Sequence, residues 1–386
     1  MLLVLSAVPL GLSPAAALAD DSEAAGHVYV LNNNVFGANS ITSFARAGDG
    51  SLAQAGVTDI GGQGSVAAFA DGTQGSLIRT PDGRRLFAVD AGSDQISVVN
   101  VTESGLLPVG VFPSGGSGPV SLTYDKGLLY VLNAANASAA PANVTGFRVD
   151  ERGSLHPIAG STRPLSTPRP NPAQVQLDPQ GRFLLVTEKL TGLIDVYGVA
   201  SDGSLSGPTS TPSVGAYPFG MAFTNRSTRP ELIVADGFGP GDPSGTGAVT
   251  AYRFVAGQPH LVDGPVPDHQ IAPCWTVITN DGKFAYTSNA DSHSISGFRI
   301  HSDGQISLLD PDGVTGSTPA DTFPLEEGLS RNSRFLYVLD SRLLLRPGPG
   351  QATLSGFRRS ADGQLTPVVD PSTIILPFSA IGLTSD

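Results

Sequence analysis

Short runs of alternating apolar and polar residues, separated by tight-turn signals, fill the chain from about residue 26 onwards. Residues 41–44, 144–147, 194–197 and 295–298 combine β-branched and aromatic side chains with the two-residue period of a half-buried strand. Asp-Gly pairs at 49–50, 202–203 and 362–363 follow such runs, and glycine accepts the positive φ of a hairpin turn. The pattern predicts many short strands joined by tight turns rather than helices.

A larger unit recurs seven times: an apolar strand ends in Asn, Asp or Glu, an alternating strand follows, and Asp-Gly-x-Leu or a close variant comes next. The polar strand ends are Asn32, Asp90, Asn133, Glu188, Asp236, Asn289 and Asp340. Their spacing of about 43 to 58 residues suits four-stranded propeller blades with loops of variable length. We therefore predict an all-β fold, a seven-bladed β-propeller that occupies residues 20–386 as one domain.

The strand that should precede each unit is missing from the first. Six of the units have one, at 76–82, 119–125, 173–179, 219–225, 274–280 and 326–332. A strand of the same character stands alone at 379–385. We predict that this C-terminal strand completes the N-terminal blade, because the pairing closes the ring and removes an exposed sheet edge.

Composition excludes some partners. The 47 Gly and 31 Pro fit a turn-rich β fold, and a net charge of −12 without any Lys or Arg cluster offers no surface for nucleic acid. A single cysteine, Cys274, allows no intramolecular disulfide. No stretch beyond the first 19 residues approaches the roughly 20 apolar residues of a membrane span. We expect a monomer that does not cross a membrane.

Residues 1–19 have the features of a signal peptide. The segment is apolar and ends in Ala17-Leu18-Ala19, a small-x-small cleavage pattern. We predict cleavage after Ala19 and a secreted or periplasmic protein; the alternative is a disordered apolar tail. The sequons at Asn100, Asn136, Asn143 and Asn225 matter only if the host glycosylates them.

The repeated Tyr-Val-x-Asn, followed by Ile-x-x-Phe-x-x-x-x-Asp-Gly-x-Leu, resembles the lactonase-like β-propeller family. That family includes 6-phosphogluconolactonase and the 3-carboxymuconate-lactonising enzyme, and the resemblance covers residue 26 to the C-terminus. It implies an enzyme that acts on a cyclic ester or small carboxylated ring by proton transfer and oxyanion stabilisation.

Lactonases of that family carry a His-Pro-His-like segment at the start of an inner strand. The best match here is Asn171-Pro172-Ala173, and a proton-transfer role suited to imidazole does not pass to Asn or Ala. The alternative is a non-catalytic secreted propeller that binds a small molecule, a wall polymer or a protein.

Candidate site residues lie where inner strands begin and second strands end, because both meet at one end of the propeller channel, called the mouth below. We expect Glu188 to act as a base or hydrogen-bond acceptor, Lys189 to anchor a carboxylate or oxyanion, and Arg169 to serve as an anion clamp. The alternative for Glu188 and Lys189 is a solvated pair that closes a turn.

The expected ligand-binding residues carry a ring or a polar group at the mouth: Trp275, Phe219, Tyr217, Asn171, Asn289 and His293. Trp275 would form an apolar wall with Phe219 and Tyr217, or would instead pack between blades. The seven polar strand ends make a ring of side chains that could hold an ion such as Ca²⁺. We favour local turn hydrogen bonds for them and expect neither metal nor cofactor.

Overall fold

The computed structural model describes residues 25–66, 73–135, 140–225, 229–237, 246–341 and 351–386. The predicted signal peptide and the sequon residue Asn136 lie outside these ranges. Within them, the regular structure is β-strand apart from one 3₁₀ turn at Pro371–Thr373 and a single helical residue, Val66. None of the described residues forms a helix long and apolar enough to cross a membrane.

Seven antiparallel sheets form the propeller, numbered here as blades 1 to 7 in chain order. From the outermost to the innermost strand, blade 1 contains β3 (Leu52–Gln63), β2 (Ala38–Arg46), β1 (Gly26–Asn32) and β30 (Ala380–Ser385); blade 2 contains β7 (Gly105–Pro113), β6 (Gln95–Thr102), β5 (Arg85–Asp90) and β4 (Leu77–Arg79); and blade 3 contains β11 (Leu155–Pro157) with β12 (Arg163–Pro164), β10 (Asn143–Val149), β9 (Leu128–Asn133) and β8 (Pro119–Asp125).

The remaining blades repeat this order. Blade 4 contains β16 (Leu205–Pro212), β15 (Leu193–Val199), β14 (Phe183–Glu188) and β13 (Pro172–Leu177); blade 5 contains β20 (Gln258–Pro267), β19 (Ala248–Val255), β18 (Glu231–Asp236) and β17 (Pro218–Phe223); blade 6 contains β24 (Ile306–Leu308) with β25 (Gly316–Ser317), β23 (Ser294–Ile300), β22 (Phe284–Asn289) and β21 (Pro273–Ile278); and blade 7 contains β29 (Leu365–Val369), β28 (Thr353–Arg359), β27 (Phe335–Ser341) and β26 (Phe323–Leu329). In blades 3 and 6 the outer strand is split into two short pieces that pair with the same neighbour.

The C-terminal strand closes the ring. β30 runs antiparallel to β1, from Val28 opposite Ser385 to Asn32 opposite Ala380, so the last strand is the innermost strand of the first blade. The predicted seven-bladed fold and its closure are both confirmed. In six blades, the polar strand end also pairs with the first or second residue of the inner strand.

A tyrosine of the repeat links each of three blades to the next. The hydroxyls of Tyr130, Tyr286 and Tyr337 donate to the carbonyls of Gly203, Gly363 and Gly50, at 2.8, 2.6 and 2.8 Å. These glycines belong to the Asp-Gly-x-Leu turns of blades 4, 7 and 1. A Cβ at any of them would meet a side chain of the preceding blade at 2.4 to 2.7 Å. The two ends of the sequence repeat therefore recognise each other across the blade interface.

We expect deletion of residues 377–386 to abolish cooperative unfolding. The deletion exposes the inner edge of β1 and removes Leu383, which is 3% exposed in the core shared by blades 7 and 1. Circular dichroism melts and light scattering should show loss of the transition and aggregation. An unchanged melt would contradict the closure.

Point variants provide the matched comparison. Leu383→Ala should lower the unfolding free energy by about 2–5 kcal/mol, the usual result of truncating a buried leucine. Ile375→Ala, in the preceding segment, removes a side chain that is 60% exposed and should change it by less than about 0.5 kcal/mol.

Candidate functional site

The mouth is framed by a repeated turn that leads into the inner strands. Pro119, Pro172, Pro218 and Pro273 each lie opposite the polar strand end of their own blade. The residue before each proline has a left-handed backbone: Gly118 (φ 62), Asn171 (φ 51), Tyr217 (φ 58) and Ala272 (φ 60). Its carbonyl accepts a hydrogen bond from the residue after the strand end, at 2.8, 3.1, 3.2 and 2.9 Å in that order. This turn presents the half-buried Asn171 and Tyr217 at the rim of the mouth.

Glu188 lies inside blade 4 with no solvent exposure. One carboxyl oxygen accepts the Ser166 amide at 3.0 Å, and the other accepts the hydroxyls of Ser166 and of Thr191, the latter at 2.6 Å. The carboxyl group is therefore engaged in holding the turn at the end of β14. This geometry suits a structural carboxyl better than a base that meets a ligand.

Lys189 is also buried, with 2% of the residue exposed, so the alternative of a solvated Glu188–Lys189 pair is wrong. Its Nζ lies 4.7 Å from the centroid of the Phe219 ring, a cation–π contact. The Phe219 ring is tilted against the Trp275 ring, with 5.2 Å between the centroids. Phe219, Trp275, Tyr217 and Cys274 thus belong to one packed group beside the Lys189 ammonium.

Trp275 is 3% exposed and its indole Nε1 donates to the Thr73 carbonyl at 2.9 Å. It therefore packs between blades, which was the alternative to an open ligand wall. Burial raises the pKa of Cys274 to about 12 against the opposing effect of the Lys189 charge, so its thiol stays protonated at neutral pH.

The other predicted residues lie at separate points of the rim. Arg169 donates to the Ala135 carbonyl at 3.3 Å and so joins blade 4 to blade 3. Asn289 is fully buried and donates to the hydroxyls of Ser294 and Ser296. His293 is half-buried at φ 53, and its Nδ1 contacts the Thr322 carbonyl. A carbonyl partner makes Nδ1 the donor, which leaves Nε2 as an acceptor or base.

The polar strand ends do not converge on a common point. Within the individual blades, Asn32 bonds to Thr42, Asp90 to Ser97, Asp236 to Thr250, Asn289 to Ser296 and Asp340 to Ser355. Among the described residues, no three His, Cys, Asp or Glu side chains are grouped closely enough to hold a metal ion. The hydroxyl partners are on the third strand, two residues beyond the one opposite the strand end.

A segment not anticipated from the sequence crosses the channel. Gln74 accepts the Thr276 amide at 3.0 Å with its side-chain oxygen and donates to the Thr276 carbonyl at 2.7 Å, although the two residues are 202 positions apart. Its backbone amide donates to Ala173, and its carbonyl accepts the Ser121 hydroxyl. The next amide, of Gly75, donates to Glu326 at 2.6 Å. Blade 2 is thereby tied to blades 3, 4, 6 and 7 around the axis.

Gln74 completes a pattern among the inner strands. The Ser121 hydroxyl accepts the Val175 amide of the next blade, and the Gln174 side chain accepts the Met221 amide in the same way. The equivalent residue of blade 5 is Gly220, which has no side chain to offer. Gln74 takes its place: a Cβ on Gly220 would lie 2.2 Å from the Gln74 oxygen. The signal in the sequence was a glycine in blade 5 at the inner-strand position where blades 3 and 4 carry Ser121 and Gln174.

Comparisons with known proteins agree with this geometry. The family model described as "Lactonase, 7-bladed beta-propeller" matches residues 27–235. None of the curated proteins compared with the chain matches it.

Solved structures share the fold at low sequence identity. A protein from Lactobacillus plantarum has a TM-score of 0.70 and 17% identity, over 94% of this chain and 99% of its own. The periplasmic gluconolactonase PpgL of Pseudomonas aeruginosa has a TM-score of 0.67 and 18% identity, over 94% and 99%. A candidate 6-phosphogluconolactonase of Bacteroides fragilis has a TM-score of 0.67 and 17% identity, over 96% and 100%.

We expect Gln74→Ala to lower the unfolding free energy by about 1–3 kcal/mol, because it leaves the buried Thr276 amide without its acceptor. Thermal and chemical denaturation measure the change. Gln176→Ala is the matched control: this inner-strand glutamine has a buried side-chain oxygen that accepts no hydrogen bond, so its loss should be close to neutral. Equal effects of the two substitutions would contradict the assigned role of Gln74.

Proposed function

The chain belongs to the lactonase family of seven-bladed β-propellers, and from this premise we propose that it binds a cyclic ester or a small carboxylated ring at the mouth, over blades 4 to 6. The ligand would contact the rim rather than enter the channel. Gln74 and the inner-strand side chains already occupy the axis below it.

The observation that carries this proposal is the backbone of Tyr217. A bulky residue at φ 58 is a true outlier, and such strain of about 1–3 kcal/mol is found mainly at functional sites. The same turn holds Gly118 in blade 3 and Ala272 in blade 6, so the turn itself does not require a large side chain. Asn171 occupies the same position of the turn in blade 4, next to blade 5, and adds a side-chain amide to the rim.

The charge and the rings nearby fit the proposed ligand class. The Lys189 ammonium beneath the rim supplies a positive field for a carboxylate or an oxyanion, and it is held in a poorly solvated place where that field is strong. The rings of Tyr217 and Phe219 provide an apolar boundary. A compact anionic or ester-bearing ring matches this combination better than a neutral polymer does.

If the protein hydrolyses the ester, His293 is the better base. Its Nε2 is available as an acceptor, whereas the Glu188 carboxyl is hydrogen-bonded inside blade 4. The base would take a proton from water as the oxygen attacks the acyl carbon; the ring C–O bond breaks, and the proton passes to the departing ring oxygen.

Non-catalytic binding is the second candidate function. It is favoured by Asn171-Pro172-Ala173, which stands where a His-Pro-His-like segment would supply an imidazole, and by the burial of Glu188. The two candidates differ in one measurement: a lactone that binds and is released intact supports the binding protein, whereas release of the hydroxy acid supports the enzyme.

We also propose export from the cytoplasm. The support is the apolar segment that ends in Ala17-Leu18-Ala19, together with the word periplasmic in the name of the similar Pseudomonas aeruginosa protein. N-terminal sequencing of the protein recovered outside the cytoplasm should begin at Asp20. An intact N-terminus in the cytoplasmic fraction would contradict this proposal.

Glycine substitutions separate ligand binding from strain. Asn171→Gly should leave stability unchanged or raise it by up to about 1 kcal/mol, because glycine accepts the left-handed backbone. It should weaken binding of gluconolactone or of an aromatic carboxylic acid by about 0.5–1.5 kcal/mol through the lost amide. Tyr217→Gly should weaken binding further. Binding is read from the fluorescence of Trp275, the only tryptophan.

Ala272→Gly is the matched control, since it makes the same change at the same turn in blade 6 without removing a polar or aromatic group. It should leave the affinity as in the wild type. If a confirmed ligand binds the Asn171 and Tyr217 variants as tightly as the wild type, the site lies elsewhere.

A further inference from the structure

Blade 4 departs from the other six at one position. On the third strand, two residues beyond the partner of the polar strand end, the other blades place a hydroxyl: Thr42, Ser97, Thr145, Thr250, Ser296 and Ser355. In blade 4 this position is Asp195, because Glu188 pairs with Leu193. A carboxyl group thus faces the strand-end carboxyl of Glu188 where a hydroxyl is the rule.

The Asp195 side chain has an unusual environment. The residue has no solvent exposure, and neither carboxyl oxygen receives a hydrogen bond of normal geometry. In blades 1, 2, 6 and 7 the side chains at these two positions are hydrogen-bonded to each other, at 2.8, 2.7, 2.9 and 2.5 Å, so the same register places the Asp195 carboxyl beside that of Glu188. Two adjacent carboxylates cannot both stay ionised in such a place, whereas one shared proton satisfies an oxygen on each side.

We propose that Glu188 and Asp195 share one proton as a carboxyl–carboxylate pair, and that this pair is a pH-sensitive joint which holds the leading turn of blade 4 at the mouth. The pair does not require a ligand. It therefore stands or falls independently of the proposed function.

The connection to the mouth runs through Glu188. Its carboxyl group accepts the amide and the hydroxyl of Ser166, at the start of the segment that leads to Pro172. At the other end of that segment, the amides of Lys189 and Leu190 donate to the carbonyls of Asn171 and Pro170, both at 3.1 Å. Repulsion within the pair would loosen residues 166–171 and, with them, the rim.

Burial and the neighbouring carboxyl oppose ionisation of Asp195. Burial raises the pKa of Asp195 to about 7, the Ser210 hydroxyl opposes this rise, and the Glu188 charge adds to it. Tyr197, on the same strand, has its pKa raised by burial and by both carboxyls, so it stays neutral, and its hydroxyl donates to the Pro164 carbonyl of blade 3 at 2.9 Å. The Lys189 ammonium lies over the ring of Phe219, which belongs to blade 5. None of the groups that shift the Asp195 pKa most is a cation.

The sign of the effect follows from this shift. An unfolded chain titrates Asp195 near pH 4, so between about pH 4 and pH 7 the folded protein holds the extra proton. The stability that the pair contributes is complete at acidic pH and is lost as the pH rises through about 7. Other buried carboxyls with raised pKa values, such as Asp340, follow the same direction, so a local measurement is needed.

Asp195→Ser, which restores the hydroxyl of the other blades, gives the sharpest test. We measure amide hydrogen exchange of Lys189 and Leu190 at pH 5 and pH 8, corrected for the intrinsic pH dependence of exchange. Protection in the wild type should fall at least about tenfold between the two values, and in Asp195→Ser less than about twofold. Asp340→Asn, the control, removes a raised-pKa carboxyl in blade 7 and should behave as the wild type at these two amides.

Two outcomes would overturn the proposal. One is equal protection of Lys189 and Leu190 at both pH values in the wild type, or the same pH response in Asp195→Ser. The other is a rise in protection with added Ca²⁺ that Asp195→Ser abolishes, because the pair would then hold a cation. If Asp195→Ser does not fold, the infrared difference spectrum between the wild type and the isosteric Asp195→Asn at pH 6 should contain a protonated carboxyl band, because other protonated carboxyls such as Asp236 and Glu326 are present in both proteins and cancel. A difference spectrum without this band also overturns the proposal.

Discussion

The constraint on which the rest of the structure depends is the inner edge of each sheet. The innermost strand of each of the seven blades lines the channel. Its backbone amides on the channel side have no further strand of the same blade to pair with. Side chains from the neighbouring inner strand accept these amides, as Ser121 and Gln174 do, and where Gly220 offers none, Gln74 reaches across the axis. These polar residues of the inner strands therefore hydrogen-bond to the backbone of the fold and are not available for a ligand.

This constraint moves the candidate site outward. Because hydrogen-bonded side chains cross the axis, the proposed ligand would contact residues on the rim, whose positions are set by the turn before the inner-strand proline. Asn171 and Tyr217 are the positions at which this turn holds a polar or bulky residue in a left-handed backbone. Glu188 and Lys189 are buried, and they support the rim from beneath instead of forming part of it.

The fold was predictable because it is local and repeated: the strands and the Asp-Gly turns can be read from the sequence, and in three blades a tyrosine of the repeat bonds to the Asp-Gly turn of the next blade. The site was less so. Glu188 ends β14 and Lys189 follows it, a place where exposure is the ordinary expectation, whereas in the structure Glu188 bonds to Thr191 and Lys189 packs on Phe219. Gln74 and Thr276 are 202 positions apart, which no local pattern reveals. Asp195 could have been found by aligning the seven units on their strand ends.

Ring closure by β30 also determines when the fold can be completed. The contacts that join β30 to β1 link residues as far apart as His27 and Asp386, 359 positions along the chain. Until β30 has been synthesised, blade 1 has no innermost strand and its interface with blade 7 is incomplete, so the ring cannot close. Because β30 follows every other strand of the propeller in the chain, ring closure is the last of the blade-building steps that chain growth allows.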